Sequence, residues 1–439
     1  MPPVVLVVLD ALHAGHVSHL GYERETTPNL DALAAEGVTF TCAIAPAPYT
    51  LATIPSILTG RLPETHGLVS RPGRLPAAEI TLTELLAGAG YRTRGAVANM
   101  NGGKSHGLDQ GFEEFVEVFR AEDGRSVDWV ADGEEFHLPR AADFPPIVER
   151  WLAEADERPL FLYAHILEPH EPYTPPSEFQ QLFLDPAYEG IFGVAESEII
   201  KQARRREVEL GPEDVEALTA LYDANLRYAD DAVGRILDQL KEAGLYDQAL
   251  IIVTSDHGEA FWQHGEQGHN TLLYDEMLRV PLVVKFPSGT GQVGVRVDAM
   301  VSPMDVLPTV CEVLDLPHPG RPLDGTSLWT AVRNPTANEG RKIYLRSNHR
   351  KPHLGLRTNV HKTIVYREKG SERPVNVERF DLVADPDESE DVSRKLRAET
   401  WADLRHLLDR ANRPAARVED GADPSAGEAE LLKRLGYGG

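Results

Sequence analysis

The chain has 439 residues, and 69 acidic residues against 44 Lys and Arg give it a formal net charge of −25. That length accommodates one large domain and a smaller one, and a 42% hydrophobic share supplies an ordinary core. An acidic surface of this size repels nucleic acid and anionic lipid, and no apolar run approaches the roughly 20 residues of a membrane helix.

In chain order, the first element is MPPVVLVVLDAL, whose run VVLVVLD (4–10) reads as a buried strand that finishes on Asp10. It carries no basic flank and no small-residue cleavage site, so a cytoplasmic protein is expected. Cys42 and Cys311 form neither a disulfide framework nor a zinc-ligand spacing, which fits a reducing compartment. TPNLDALAAEG (27–37) and TLTELLAGAG (81–90) read as amphipathic helices closed by glycine. Between them, PAPYTLATIPSILTG (46–60) reads as a loop leading into a helix, with Thr50 at the junction. From the residues alone, Thr50 is either a helix cap, for which threonine is favoured, or a hydroxyl presented for chemistry.

The segments 117–146 and 175–212 are polar and weakly periodic, and read as excursions over one face or edge of the domain. PLFLYAHI (159–166) is a strand ending near His165 and His170, and ALIIVTSDHGE (249–259) is a strand ending on Asp256 and His257. Helices are expected over 215–244 and 302–316. This alternation predicts an α/β fold, a mainly parallel sheet covered on both faces. After about 335 the pattern changes to a small antiparallel sheet, then a charged helix, then a mobile tail with a short helix. The expected division is 1–334, 335–415 and 416–439.

In sheets of this kind ligands bind beyond the carboxyl ends of the strands. Asp10, Asp256 and His257 all fall there, and two carboxylates with one imidazole suit a divalent ion such as Mn²⁺, Zn²⁺, Mg²⁺ or Ca²⁺. His13, His16 and His19 are expected to be a polar helix entry, and Asp230 and Asp231 to be structural. Asp223, followed four residues later by Arg227, falls within the helix expected over 215–244.

Eight segments in order then carry a resemblance that covers nearly the whole chain. They are VVLVVLDAL (4–12), TTPNLDALAAEGVTF (26–40), YTLATIPSILTGRLPETHGL (49–68), HILEPHEPY (165–173), TSDHGE (254–259), GHNTLLYDEMLRVPLVV (268–284), SPMDVLPTV (302–310) and FDLVADPDE (380–388). Together they resemble the sulfatase family of the alkaline phosphatase superfamily. The resemblance implies the sandwich fold of that superfamily, with a smaller carboxyl-terminal antiparallel sheet. It also implies one divalent metal on Asp10, Asp256, His257 and Thr50, with Thr50 as nucleophile, and His269 and His170 as groups near the substrate anion. His165 ranks below them, as a supporting or core histidine.

Two departures bear on the chemistry. Sulfatases proper have Cys or Ser at the nucleophile, matured to formylglycine within a CxPSR pattern; here the window is TLATI (50–54). Ala11 stands where a second Asp often follows the first. A threonine cannot yield the aldehyde, and in this it resembles the phosphoryl-handling branches, including lipoteichoic acid synthases, which work through a phosphothreonine. The expectation is a metal-dependent hydrolase or transferase of small phosphate esters acting through Thr50. The alternatives are a sulfuric ester hydrolase and a member that binds metal or ligand without catalysis. Lys362 in RTNVHK is expected to place a cation near the substrate.

Overall fold

Val4–Leu9, wholly buried, lies in the middle of an eight-stranded sheet. Across that sheet the order is Val295–Val297, Val38–Ile44, Arg279–Lys285, Leu250–Ser255, Val4–Leu9, Leu160–Ile166, Arg92–Val97 and Glu114–Glu117. Only Arg279–Lys285 runs against the others. The computed structural model describes all residues except 123, 132, 193–196, 335, 349–351, 369–373, 412–418, 422 and 436–439, and the side chains of 197, 198, 411, 419 and 420.

Alternation along the central strand builds two cores. Val5, Val7 and Leu9 join a cluster with Ile236 and Leu240 of the helix Pro212–Glu242. Val4, Leu6 and Val8 join another with Ile54, Ile57 and Leu58 of the helix Thr50–Thr59 and Val310 of the helix Val306–Leu314. A strand buried on both faces must be apolar throughout, which is why VVLVVL carries no polar residue until it ends. Register then matters for what comes next. Leu9 pairs with Ser255 on one side and Ile166 on the other, and Val97 pairs with His165. Four neighbouring parallel strands therefore end together, so their next residues gather at one edge.

The carboxyl-terminal sheet is antiparallel, in the order Ile343–Arg346, Leu354–Arg357, His361–Tyr366 and Asn376–Asp381. Ile343, Leu345, Ile364 and Phe380 pack on Ile44, Leu273 and Met300 of the larger unit. Leu354, Leu356 and Val365 pack under Leu404 and Leu407 of the helix Arg397–Ala411.

Two expectations are corrected here. The helix Ala426–Arg434 is docked rather than mobile: Leu431, Leu432 and Leu435 join the core cluster that holds Phe136. Glu428 also receives a 2.7 Å ion pair from Arg120. Lys362 is fully buried and faces no substrate. Its Nζ lies 2.6 Å from Asp275 Oδ1 and 2.7 Å from Glu388 Oε1, and donates to the Leu273 carbonyl at 2.9 Å. Glu388 would lose its cation and Asp275 would keep only Arg357, 3.1 Å away, so Lys362→Ala is expected to destabilise the fold by about 3–5 kcal/mol and leave substrate preference alone. Chemical denaturation alongside KM for two different esters checks this.

Candidate active site

Asp10, Asp256 and His257 arrive at the shared strand edge from two adjacent strands, each with a fully buried side chain. One ligand atom from each of the three lies within 4.8 Å of the others. Asp10 Oδ2 accepts a 2.6 Å hydrogen bond from Asn99 Nδ2 and lies 3.2 Å from His165 Nε2, while its Oδ1 has no hydrogen-bond partner. Asp256 Oδ1 accepts from the Ala11 and His257 amides at 3.2 and 3.0 Å, while its Oδ2 has none. In each carboxylate one oxygen is anchored and the other left unsatisfied.

His257 completes the arrangement. Its Nδ1 donates to the Gly258 carbonyl at 2.9 Å, which fixes the tautomer and turns the Nε2 lone pair toward the carboxylates, 3.5 Å from Asp10 Oδ1 and 3.5 Å from Asp256 Oδ2. Ala11 has a positive φ of 60°, and this left-handed turn aims its amide at Asp256. The residue that replaces a possible second aspartate thus serves the site through its backbone.

The electrostatics point the same way. Burial and the nearby Asp10 charge push the Asp256 carboxyl above its ordinary range. Asp10 is held well below that range: burial opposes, but His170, His165 and His257 outweigh it. Burial likewise opposes protonation of His257, and Asp256 and Asp10 overcome it. Two buried carboxylates with orphaned oxygens are costly unless a cation meets them. Oxygen and nitrogen ligands stand about 2.0–2.5 Å from a divalent ion, so ligand atoms 4.8 Å apart or less can share one. The donor set fits a divalent metal.

Thr50 Oγ1 lies 3.3 Å from His257 Nε2 and 3.3 Å from Asn99 Nδ2. Tyr49 occupies the cap position of the helix and Thr50 is its first helical residue. That answers the cap reading: the threonine side chain turns to the strand edge. Helix amides at this end favour negative charge on a nucleophile or bound anion.

Three imidazoles close one side, with ring centroids 4.4 Å apart for His257 and His269, 4.9 Å for His170 and His269, and 6.5 Å for His170 and His257. His170 Nδ1 donates to the Glu171 carbonyl at 2.7 Å. His269 Nδ1 lies 3.2 Å from Glu259 Oε1, and Tyr173 donates its hydroxyl to Glu259 Oε2 at 3.1 Å. Burial, then the His257 and His170 imidazoles, holds His269 well below the ordinary histidine value.

All six residues expected at the site, with His165, therefore converge. Asn99 and Glu259 were not expected there. Asn99 follows the strand Arg92–Val97 and bridges Asp10 to Thr50, while Glu259 orients His269. The other candidates lie elsewhere. Asp223 accepts from Tyr22 and Arg24 at 2.7 and 2.8 Å and lies 2.7 Å from His16 Nδ1. His19 pairs with Asp31 at 2.9 Å. Asp230 accepts from the Asn29 and Leu30 amides at 2.9 Å each, capping a neighbouring helix.

Comparison with known proteins agrees with this fold. The sulfatase family model matches residues 2–316, and the model for the carboxyl-terminal region of N-sulphoglucosamine sulphohydrolase matches residues 265–413. An ulvan-active sulfatase of Formosa agariphila is 26% identical over 445 aligned residues, 95% of this chain and 82% of the relative. The multifunctional alkaline phosphatase superfamily protein PehA of Trinickia caryophylli is 27% identical, covering 74% of this chain and 76% of its own. Among solved structures, one in complex with its substrate D-glucosamine-2-N,6-O-disulfate superposes with a TM-score of 0.76 at 20% identity, covering 95% of this chain and 99% of the other. The phosphonate monoester hydrolase of Agrobacterium radiobacter superposes at 0.71 and 21% identity, covering 94% and 95%. No helix among the described residues is long and apolar enough to cross a membrane. The chain belongs to the sulfatase family and is a hydrolase of ester bonds.

Proposed function

We propose that this chain hydrolyses a small anionic ester, in the first place a sulfuric ester, with the Thr50 hydroxyl as the attacking group and one divalent cation held by Asp10, Asp256 and His257. The observation that carries the reading is the placement of Thr50 Oγ1, 3.3 Å from His257 Nε2 and at a helix amino terminus. A divalent ion bound there would offset the two carboxylates and lower the pKa of the nearby hydroxyl. Asn99 orients both Asp10 and Thr50, and His165 steadies the same Asp10 oxygen. His269, oriented by Glu259, passes the Thr50 proton to the departing alcohol and then takes one from the water that cleaves the resulting ester on Thr50 Oγ1, restoring the hydroxyl and releasing the inorganic anion; His170 lies beside it to meet the substrate anion. His269→Gln is expected to lower kcat by about 10²–10³-fold with little change in thermal stability, read by steady-state kinetics and thermal unfolding.

The order of substrates rests on the relatives, most of whose names are sulfatases. This reverses the order expected from the sequence, where the missing Cys or Ser put phosphate first. The second reading, a phosphoric or phosphonic ester, is favoured by Thr50 itself. A plain hydroxyl forms an ordinary ester on its own oxygen, as in the phosphothreonine of the phosphoryl-handling branches that the Thr50 window resembles. Aryl sulfates, phosphates and phosphonates assayed with Mn²⁺, Zn²⁺, Mg²⁺ and Ca²⁺ decide between the readings; inertness toward all of them would leave only binding without catalysis.

A further inference from the structure

A cavity of about 240 Å³ opens directly over Thr50, and its lining gives an account of the leaving group. Beside Tyr49 and Thr50 it is walled by Arg71, Asn101, Asn270 and Asn348. No carboxylate lines it among the described residues, although the chain carries a net charge of −25. Arg71 is its cationic member, half-buried and delivered by the loop that follows the short helix Pro63–His66.

Two observations indicate that the cavity is built for a ligand. Asn101 is 3% exposed, yet its Oδ1 has no hydrogen-bond partner, so an acceptor is held ready at the cavity wall. Asn270 is kept in the left-handed region, with φ of 89°, by two backbone hydrogen bonds. Its amide donates to the Pro48 carbonyl at 2.9 Å and its carbonyl accepts from the Asn348 amide at 2.7 Å. The second bond brings the carboxyl-terminal region to the cavity through Asn348.

We propose that this cavity selects esters whose leaving alcohol carries a second anionic group, and that Arg71 is the residue that reads it. The inference rests on the ester-hydrolase reading above. At about 30 Å³ per water, the cavity holds roughly eight water volumes, enough for a compact substituted alcohol and too little for a drug-sized ligand. A guanidinium offers a planar fork of donors to a carboxylate, sulfate or phosphate. Asn101 supplies an acceptor for a hydroxyl on the same group. Arg71 does not touch the reacting atoms in this scheme; it sets which alcohol fits.

The test is equilibrium binding of phenyl sulfate and 4-carboxyphenyl sulfate to metal-loaded full-length Thr50→Ala protein, with and without Arg71→Gln. With Arg71 present, the carboxylated probe is expected to bind about ten- to a hundredfold more tightly than phenyl sulfate. Arg71→Gln removes that preference and leaves phenyl sulfate affinity and thermal stability unchanged. Equal affinities with Arg71 present overturn the proposal. An equal loss for both probes on Arg71→Gln places Arg71 on the reacting ester group and overturns it as well. Turnover by the unsubstituted protein separates the two readings. Binding preference without hydrolysis of any ester sinks the hydrolase reading and spares the subsite; hydrolysis without the preference does the reverse.

Discussion

Thr50→Ala is expected to lower turnover by about 10⁴-fold or more while the protein keeps its fold and its metal. The expectation follows from where the hydroxyl lies. Thr50 Oγ1 stands 3.3 Å from His257 Nε2 and 3.3 Å from Asn99 Nδ2, in a fully buried helix that packs through Ile54, Ile57 and Leu58. Removing one hydroxyl and one methyl from the first turn leaves that packing in place. The Asp10, Asp256 and His257 ligand atoms do not depend on it. Thr50→Ser keeps the oxygen and should retain measurable activity, reduced because the smaller side chain loses the rotamer restraint of a β-branched residue. Near wild-type rates in the alanine variant would move the nucleophile elsewhere.

Asp256→Asn is expected to abolish stoichiometric metal binding and to lower turnover by about a thousandfold or more. It should also remove the effect of chelation on stability. In the unsubstituted protein a chelator leaves Asp10 and Asp256 side by side, buried, each with one unsatisfied oxygen. Burial and the Asp10 charge already push Asp256 toward its neutral form. Metal at a hundred times its Kd stabilises the native state by about 2.7 kcal/mol, so chelation should lower the unfolding temperature by several degrees. The asparagine removes one of the two repelling charges, so metal-free Asp256→Asn protein should be at least as stable as the metal-free parent and indifferent to chelator. Elemental analysis and thermal unfolding in parallel read both effects. An equal chelator response in the two proteins would contradict the metal assignment.

The parts of this site that the sequence disclosed are those carried by strand ends. VVLVVL and the LIIV of LIIVTS are apolar because both faces are buried, so a buried carboxylate just past each strand stands out as a candidate for chemistry. Asn99 escaped because its strand, RTRGAV, is broken by Arg92 and Arg94. Both arginines reach Glu154, Arg92 at 3.3 Å and Arg94 at 2.8 Å, and only the fold supplies that partner. Glu259 was visible within TSDHGE, but its function depends on His269, ten residues later and brought back by a turn.

Lys362 shows the opposite failure. In sequence it looks like a cation available to a substrate, because Asp275 and Glu388 are remote along the chain. The correcting signal was local: in HKTIVY, Lys362 shares a strand face with Ile364, and Ile364 is fully buried. Arg71 and Asn348 come from loops with no periodicity at all, so nothing in their neighbourhoods announces a shared cavity with Thr50. Fold class and the candidate metal cluster were thus legible because secondary-structure patterning carries them. The cavity wall beside Thr50 was not, because loops closing over the sheet edge assemble it.

The most direct test of the central claim is to quench metal-loaded protein within its first turnovers on a reactive aryl sulfate or aryl phosphate and map the modified peptide by mass spectrometry. The account predicts one sulfuryl or phosphoryl group per chain on Thr50, present in the unsubstituted protein and absent from Thr50→Ala. Rapid turnover with Thr50 unmodified at every quench time would contradict it.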